Sequence, residues 1–333
     1  ALLALSAMAT NDPDLRRARL SLVTERAEIE KRADLAFDLL ARAFDDEPTL
    51  DVFYEPLDAI ASVGCPPAVR AAMLEAIACA APSNRAHHFL NAAYAFAQFD
   101  EGRAIALEYA ARSLMAERES DAARALISEL IPTTDEWRVL EARLGGDEAP
   151  LFIESHARGR IDGLLYRASL ALLQGERDAA FALTLNALEL DPRHPLALAR
   201  AERIARWIGE RSKMERAFDF GLRAAHDARE QARLLMHLAL LASERGDELT
   251  ATNRSLEAIR VEPSCAEAYF FLAGRLDHLP NEALGSTVER SRAAIGDSVV
   301  VMERAMEIAQ RRGLTKLLLR MRESRARMSV LDE

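Results

Sequence analysis

Arg200, Arg203 and Trp207 fall at i, i+3 and i+7 in the stretch PLALARAERIARWIGE. On a helix that spacing puts them on one face, two guanidinium groups beside an indole. A guanidinium fork holds a carboxylate through two parallel N–H···O contacts. An indole adds apolar area, and both residue types are enriched at binding hot spots. The chemistry this points to is recognition of an acidic group rather than bond making. A solvated arginine stripe, with the tryptophan wedged against a neighbouring helix, satisfies the same spacing.

Elsewhere the reactive residue types are scattered. The seven histidines include the adjacent His87 and His88, which a helix would point in different directions, whereas a metal pair prefers i,i+4 on one face. Cys65, Cys79 and Cys265 form no C-x-x-C, and three is an odd number. That argues against a disulfide framework and for a reducing compartment. Cys65 before Pro66-Pro67 reads as a turn residue, and Asp45-Asp46-Glu47 as a solvated turn. The sequence has no phosphate-binding loop, dinucleotide fingerprint, G-x-S-x-G elbow or H-E-x-x-H. We assign no catalytic residue, no metal ligand and no cofactor, and expect a protein that is not an enzyme.

The elements that would position Arg200 and its neighbours are helices. The 333 residues are more than one hydrophobic core usually holds. Ala, Leu, Glu and Arg dominate, all good helix formers, while only 14 glycines and 12 prolines supply turns. The net charge of -10 excludes a general affinity for nucleic acid or anionic membrane. Lys31, Lys213 and Lys316 are the only lysines, so the arginine excess reads as the codon bias of a GC-rich, bacterial genome. No apolar run approaches the ~18 residues of a membrane span. The first stretch, ALLALSAMAT, has the apolar core and small residues of a signal-peptide tail but no initiator Met or basic leader. It reads as the last helix of a preceding repeat in a chain cut from a longer protein. The expected location is cytoplasmic, with the periplasm left open.

A skeleton recurs along the chain. Ala36, Ala43 and Pro48 are spaced as Ala180, Ala187 and Pro192 are, and as Ala251, Ala258 and Pro263 are. Upstream of the two later copies, Leu164, Ala168, Ala171 and Gly175 match Leu235, Ala239, Ala242 and Gly246 without a gap. Leucine and two alanines on one face, a glycine turn, two alanines on the next helix and a closing proline describe a helical hairpin. Small residues at the crossing let the axes approach, and proline ends the second helix. A further unit lies between the two copies, with Gly209 at its turn and Gly221 replacing the second alanine.

This pattern resembles the tetratricopeptide repeat, whose period is ~34 residues. The resemblance is specific over residues 161–276, while residues 49–160 resemble helical repeats in general. It implies an all-α, right-handed α-α superhelix of about eight or nine hairpins, each touching mainly its neighbours. We expect N-terminal helices over 1–48, degenerate repeats over 49–160 with a bend near 132–160, well-matched units over 161–298 and capping helices over 299–333. The last helix is basic, with Lys316, Arg320, Arg322, Arg325 and Arg327. It is either a polar cap or a docking site for an acidic partner.

In the family the first helices of successive units line a concave groove. Carried onto the matched positions, that groove takes Tyr166 from one unit and Arg200, Arg203, Arg206 and Trp207 from the next. It continues through Met236 and His237 to Phe270, Phe271 and His278. The implied partner is a protein or peptide with acidic and apolar residues. An exposed arginine there contributes to binding far more than to folding. The lysines and asparagines with which one family variant clamps a terminal carboxylate are absent. The resulting expectation is a non-catalytic interaction scaffold of undetermined oligomeric state. The alternative is the sensor or regulatory region of a larger protein such as a transcriptional regulator.

Overall fold

The structure is a computed structural model that describes residues 20, 22, 33–81, 84–131, 133–143, 146, 149–278, 281, 284–285 and 299–329. Helix accounts for 82% of the residues, and no strand occurs among the described ones. That is far above the ~30–35% helix of an average domain, and the fold class is all-α, a succession of helical hairpins. The chain divides into two compact units, Ala1–Glu210 and Arg211–Glu333. The division falls inside the stretch 161–298 that the repeat pattern groups together.

Unit 1 contains α1 (Ala33–Asp46), α2 (Tyr54–Gly64), α3 (Pro67–Ala80), α4 (Arg85–Phe96), α5 (Arg103–Ala116) and α6 (Asp121–Leu130). It continues with α7 (Thr134–Arg143), α8 (Ala149–Glu154), α9 (Arg160–Leu173), α10 (Arg177–Leu190) and α11 (Pro195–Ile208). Unit 2 contains α12 (Arg211–Ala224), α13 (Ala228–Glu244), α14 (Glu248–Val261), α15 (Ala266–Arg275), α16 (Val299–Arg311) and α17 (Thr315–Ser329). The stretch ALLALSAMAT lies outside the described residues.

The hairpin turns follow from glycine at a fixed place after an alanine. The Glu176 N–H donates to the Ala171 carbonyl at 2.8 Å, with Gly175 at φ +82°. The Asp247 N–H donates to Ala242 at 3.0 Å around Gly246, and the Leu314 N–H donates to Ala309 at 2.8 Å around Gly313. This six-to-one closure satisfies a terminal carbonyl and needs a left-handed residue, which glycine adopts without Cβ strain. The third copy, in α16–α17, is not among the hairpins that sequence spacing matches.

Helix starts are equally local. Pro67 and Pro195 open α3 and α11, where a missing N–H costs nothing. Asp227 and Asp247 cap α13 and α14 by accepting the Glu230 and Thr250 N–H groups, both at 3.1 Å. The repeated alanines lie at the crossings, as their spacing predicts. Ala180, Ala187, Ala239, Ala251 and Ala258 are all fully buried. At Gly221, where the other hairpins carry alanine, a Cβ would meet Leu234 Cδ1 at 3.2 Å, a tight contact that the leucine would have to yield to.

In unit 1 most helices adjacent in sequence pack together, but several pairings depart from neighbour-only stacking. α9 packs on α5, and α11 packs on α3. Helices of distant hairpins therefore face each other across the inside of the unit. Between residues 132 and 160 the helices shorten, α7 to ten residues and α8 to six.

Candidate functional site

The inner face of unit 1 is where α3, α5, α9 and α11 meet. α3 is apolar on nearly every side, with Ala71, Ala72, Met73, Leu74, Ala76, Ile77 and Ala78 all buried. Glu75 sits among them, itself buried. Its carboxylate takes a two-point contact from Arg200 of α11, Nε to Oε2 at 2.8 Å and Nη2 to Oε1 at 3.0 Å. Ser169 Oγ of α9 donates to Glu75 Oε1 at 2.6 Å, and the Tyr109 hydroxyl of α5 donates to the same oxygen at 3.1 Å. Arg200 spends two further donors on the Leu165 carbonyl at 2.7 Å and on Ser169 Oγ at 2.9 Å. The Phe96 ring lies 5.8 Å from the guanidinium. One carboxylate thus ties four helices together.

A second knot lies beside it. The Tyr166 hydroxyl on α9 is 3.1 Å from both Glu108 Oε2 and the Pro150 carbonyl, and Arg112 Nε donates to Glu108 Oε1 at 2.7 Å. Burial pushes the pKa of Tyr166 and of Tyr109 well above the usual phenol value. Burial also pushes the Cys79 thiol up to about 12, with Glu75 adding to the shift. Cys79 lies 3.6 Å from the Tyr109 oxygen. Since Tyr109 gives its hydrogen to Glu75, the thiol is the donor there. A thiol held protonated is no nucleophile, and a carboxylate fully engaged by donors is no base. Among the described residues no group of His, Cys, Asp and Glu could hold a metal.

These contacts correct the groove expectation for four residues. Tyr166, Arg200, Arg203 and Trp207 are buried rather than presented to a partner. Arg203 pairs with Asp45, lies 5.8 Å from the Phe44 ring of α1 and reaches Met73 Sδ at 3.7 Å. Burial lowers its pKa, and Arg206 lowers it further. Trp207 carries the Arg177 guanidinium of α10 over its ring at 4.1 Å. The space lined by Ala72, Ala76, Leu172, Arg200, Arg203 and Trp207 has no room for a water molecule. The physical reason is the packing of α11 on α3, which turns the i, i+3, i+7 face inward. Arg206, at the edge of that face, pairs with Glu202 at 3.1 Å.

Unit 2 places its expected groove residues differently. Met236 is buried in the core formed with Leu235, Ile259 and Leu272. His237 is buried with its ring stacked 5.0 Å from Phe218, so neither faces a partner. Phe271 is half-buried under Arg275, whose guanidinium stands 4.8 Å from the ring. Phe270 is 65% exposed. His278 ends a single 3-10 turn, Leu276–His278, and its side chain lies outside the described residues.

No protein-family model matches the chain, and no curated protein is significantly similar to it. Among solved structures it is similar to the crystal structure of the APC/C hetero-tetramer Cut9-Hcn1, at 13% identity over 96% of this chain and 80% of that one, with a TM-score of 0.25. A score that low leaves the chain's own packing as the basis for its fold.

Spacing rules missed Glu75, Tyr109 and Glu108. A signal existed for both acids. In AAMLEAIACAA and AIALEYAA a lone carboxylate interrupts an otherwise apolar or alanine-rich run. A charge inside a buried helix must be paired: Glu75 called for a cation on another helix, and Glu108 finds Arg112 one turn on in α5.

Proposed function

We propose that the chain is a non-catalytic, tetratricopeptide-like module that binds protein partners, and that the first-helix face of unit 2 is its docking surface. The observation that carries this is Phe270. It occupies in its hairpin the place that Met236 occupies one repeat earlier, yet Met236 is buried and Phe270 is 65% exposed. A phenylalanine left in water forgoes roughly 1.5–3 kcal/mol of burial. Gly274, one turn on, is also exposed and has open space where a Cβ would stand. A large apolar side chain from a partner fits over Gly274 and against the Phe270 ring. Exposed Glu267 and the Arg275 guanidinium flank the pair with both signs of charge.

The test is affinity purification from native lysate with the wild-type chain, with Phe270→Asp and with Leu190→Asp. Leu190 is an exposed leucine of unit 1 and serves as the control. The expected result is one set of partners shared by wild type and Leu190→Asp and lost from Phe270→Asp, with all three melting alike. Partners retained by Phe270→Asp at wild-type levels would remove this face from the proposal.

A further inference from the structure

The last helix carries a surface that its capping role does not explain. α17 turns Met321 into the core of unit 2, with Leu314 and Leu317 packed beside it. At 100° per residue, Leu319 stands on the opposite side of the helix. It is 54% exposed. A helix that merely ends a stack needs a polar outer face, and here the centre of that face is a leucine.

Most of the charged residues around Leu319 are cations, with Glu323 at i+4 the one acid. Lys316 precedes it by three positions and Arg320 follows it directly, and both are exposed, as is Arg322. Among the described residues none of these three forms an ion pair. The arginines just upstream behave differently. Arg304 and Arg311 both reach Asp277, at 2.5 and 2.6 Å, and Arg312 donates to Asn281 at 3.0 Å. The whole of Thr315–Ser329 holds Lys316, Arg320, Arg322, Arg325 and Arg327 against the single acid Glu323. This concentration of positive charge occurs in a chain whose net charge is -10.

We propose that the outer face of α17 docks an acidic amphipathic helix of a protein partner, Leu319 packing against its apolar stripe while Lys316 and Arg320 engage carboxylates on either side. This rests on reading the chain as a protein-binding module and adds a second, electrostatically selective surface to it. A membrane surface is the poorer fit. An interfacial helix buries a broad apolar face in lipid, and the apolar side of α17, with Met321 and Leu317, is already packed into the core of unit 2. A nucleic acid would meet a strongly acidic chain and no exposed aromatic residue on this helix.

The probe is a fluorescein-labelled synthetic helix with leucines at i, i+3 and i+4 and glutamates around them, titrated with the full chain and read by anisotropy. Its counterpart has every glutamate replaced by lysine. Wild type should bind the acidic peptide at least about tenfold more tightly than the basic one, and the affinity should fall as salt rises. The double variant Lys316→Glu/Arg320→Glu should lose about tenfold or more, and Leu319→Ser several-fold, both with unchanged melting temperature because all three side chains are exposed. Equal affinity for the two peptides, or full binding by the double variant, overturns the proposal. So does tighter binding to phosphatidylserine vesicles than to the acidic peptide. If α17 fails while partners captured through Phe270 persist, only this inference falls. If Phe270→Asp also keeps its partners, the Phe270 face falls too, and only a wild-type chain that captures no partner at all takes the interaction reading with it.

Discussion

Arg200 grips Glu75 through two parallel contacts of 2.8 and 3.0 Å across 125 residues of sequence, fastening α11 to α3 inside unit 1. The pair is sealed from water and completed by Ser169, Tyr109 and the Leu165 carbonyl. Removing one partner leaves the other charged and buried, which costs about 3–5 kcal/mol. Arg200→Met and Glu75→Gln should each lower the urea midpoint by that equivalent. The double variant Glu75→Met/Arg200→Met should recover part of the loss, because no charge is then stranded. A double variant as unstable as the sum of the singles would show that the pair acts through packing and not through charge.

Arg203 belongs to the fold rather than to a partner. Its burial beside Asp45, Phe44 and Met73 means that Arg203→Glu sets a second carboxylate against Asp45 in a nearly dry site. We expect a loss of about 3–5 kcal/mol and a smaller loss for Arg203→Met, both visible in a thermal melt. An unchanged melt for the glutamate variant would return Arg203 to the surface.

Ala187 has no room to grow. It is fully buried in α10, which packs against both α9 and α11. Ala187→Leu should overpack those crossings and cost about 1–3 kcal/mol, read as a lower denaturation midpoint. Ala187→Ser, close in volume, should cost less. Equal effects would mean that polarity, not volume, limits the site.

Asp162 gives unit 1 a pH dependence. It is buried and accepts the Arg158 N–H at 2.7 Å, and burial raises its pKa from 3.8 to about 6. The folded state therefore holds this proton more tightly than the unfolded chain does. Its favourable contribution is present in full below pH 3.8 and disappears as the pH rises through about 6. Asp162→Asn should accordingly gain on wild type across that window and hold the gain at neutral pH. His194 works with the opposite sign: burial lowers its pKa, so protonating it below 6.5 weakens the folded state. Taking the difference between Asp162→Asn and wild type at each pH cancels that second contribution. A difference that does not change with pH would show that Asp162 ionises as freely in the folded chain as in the unfolded one.

Short-range spacing determined the building unit. Alanines three, four and seven residues apart mark helix faces that can approach closely, glycine marks the left-handed turn and proline the stop, and each acts within a few residues of itself. Ala180, Ala187, Gly175 and Gly246 therefore stand where their neighbours in sequence require. The same local rules showed that Arg200, Arg203 and Trp207 share a face, and that a guanidinium there would hold a carboxylate. They could not show whose carboxylate, because Glu75 lies 125 residues away and only the return of α11 onto α3 brings it within 3 Å. Nor could they separate Met236 from Phe270, which hold the same place in successive repeats. One is buried and the other open to water, and the difference arises in how the helices around each pack. The periodicity of one helix fixes which residues look the same way. What they look at is set by contacts between hairpins, and those depend on side chains remote in sequence.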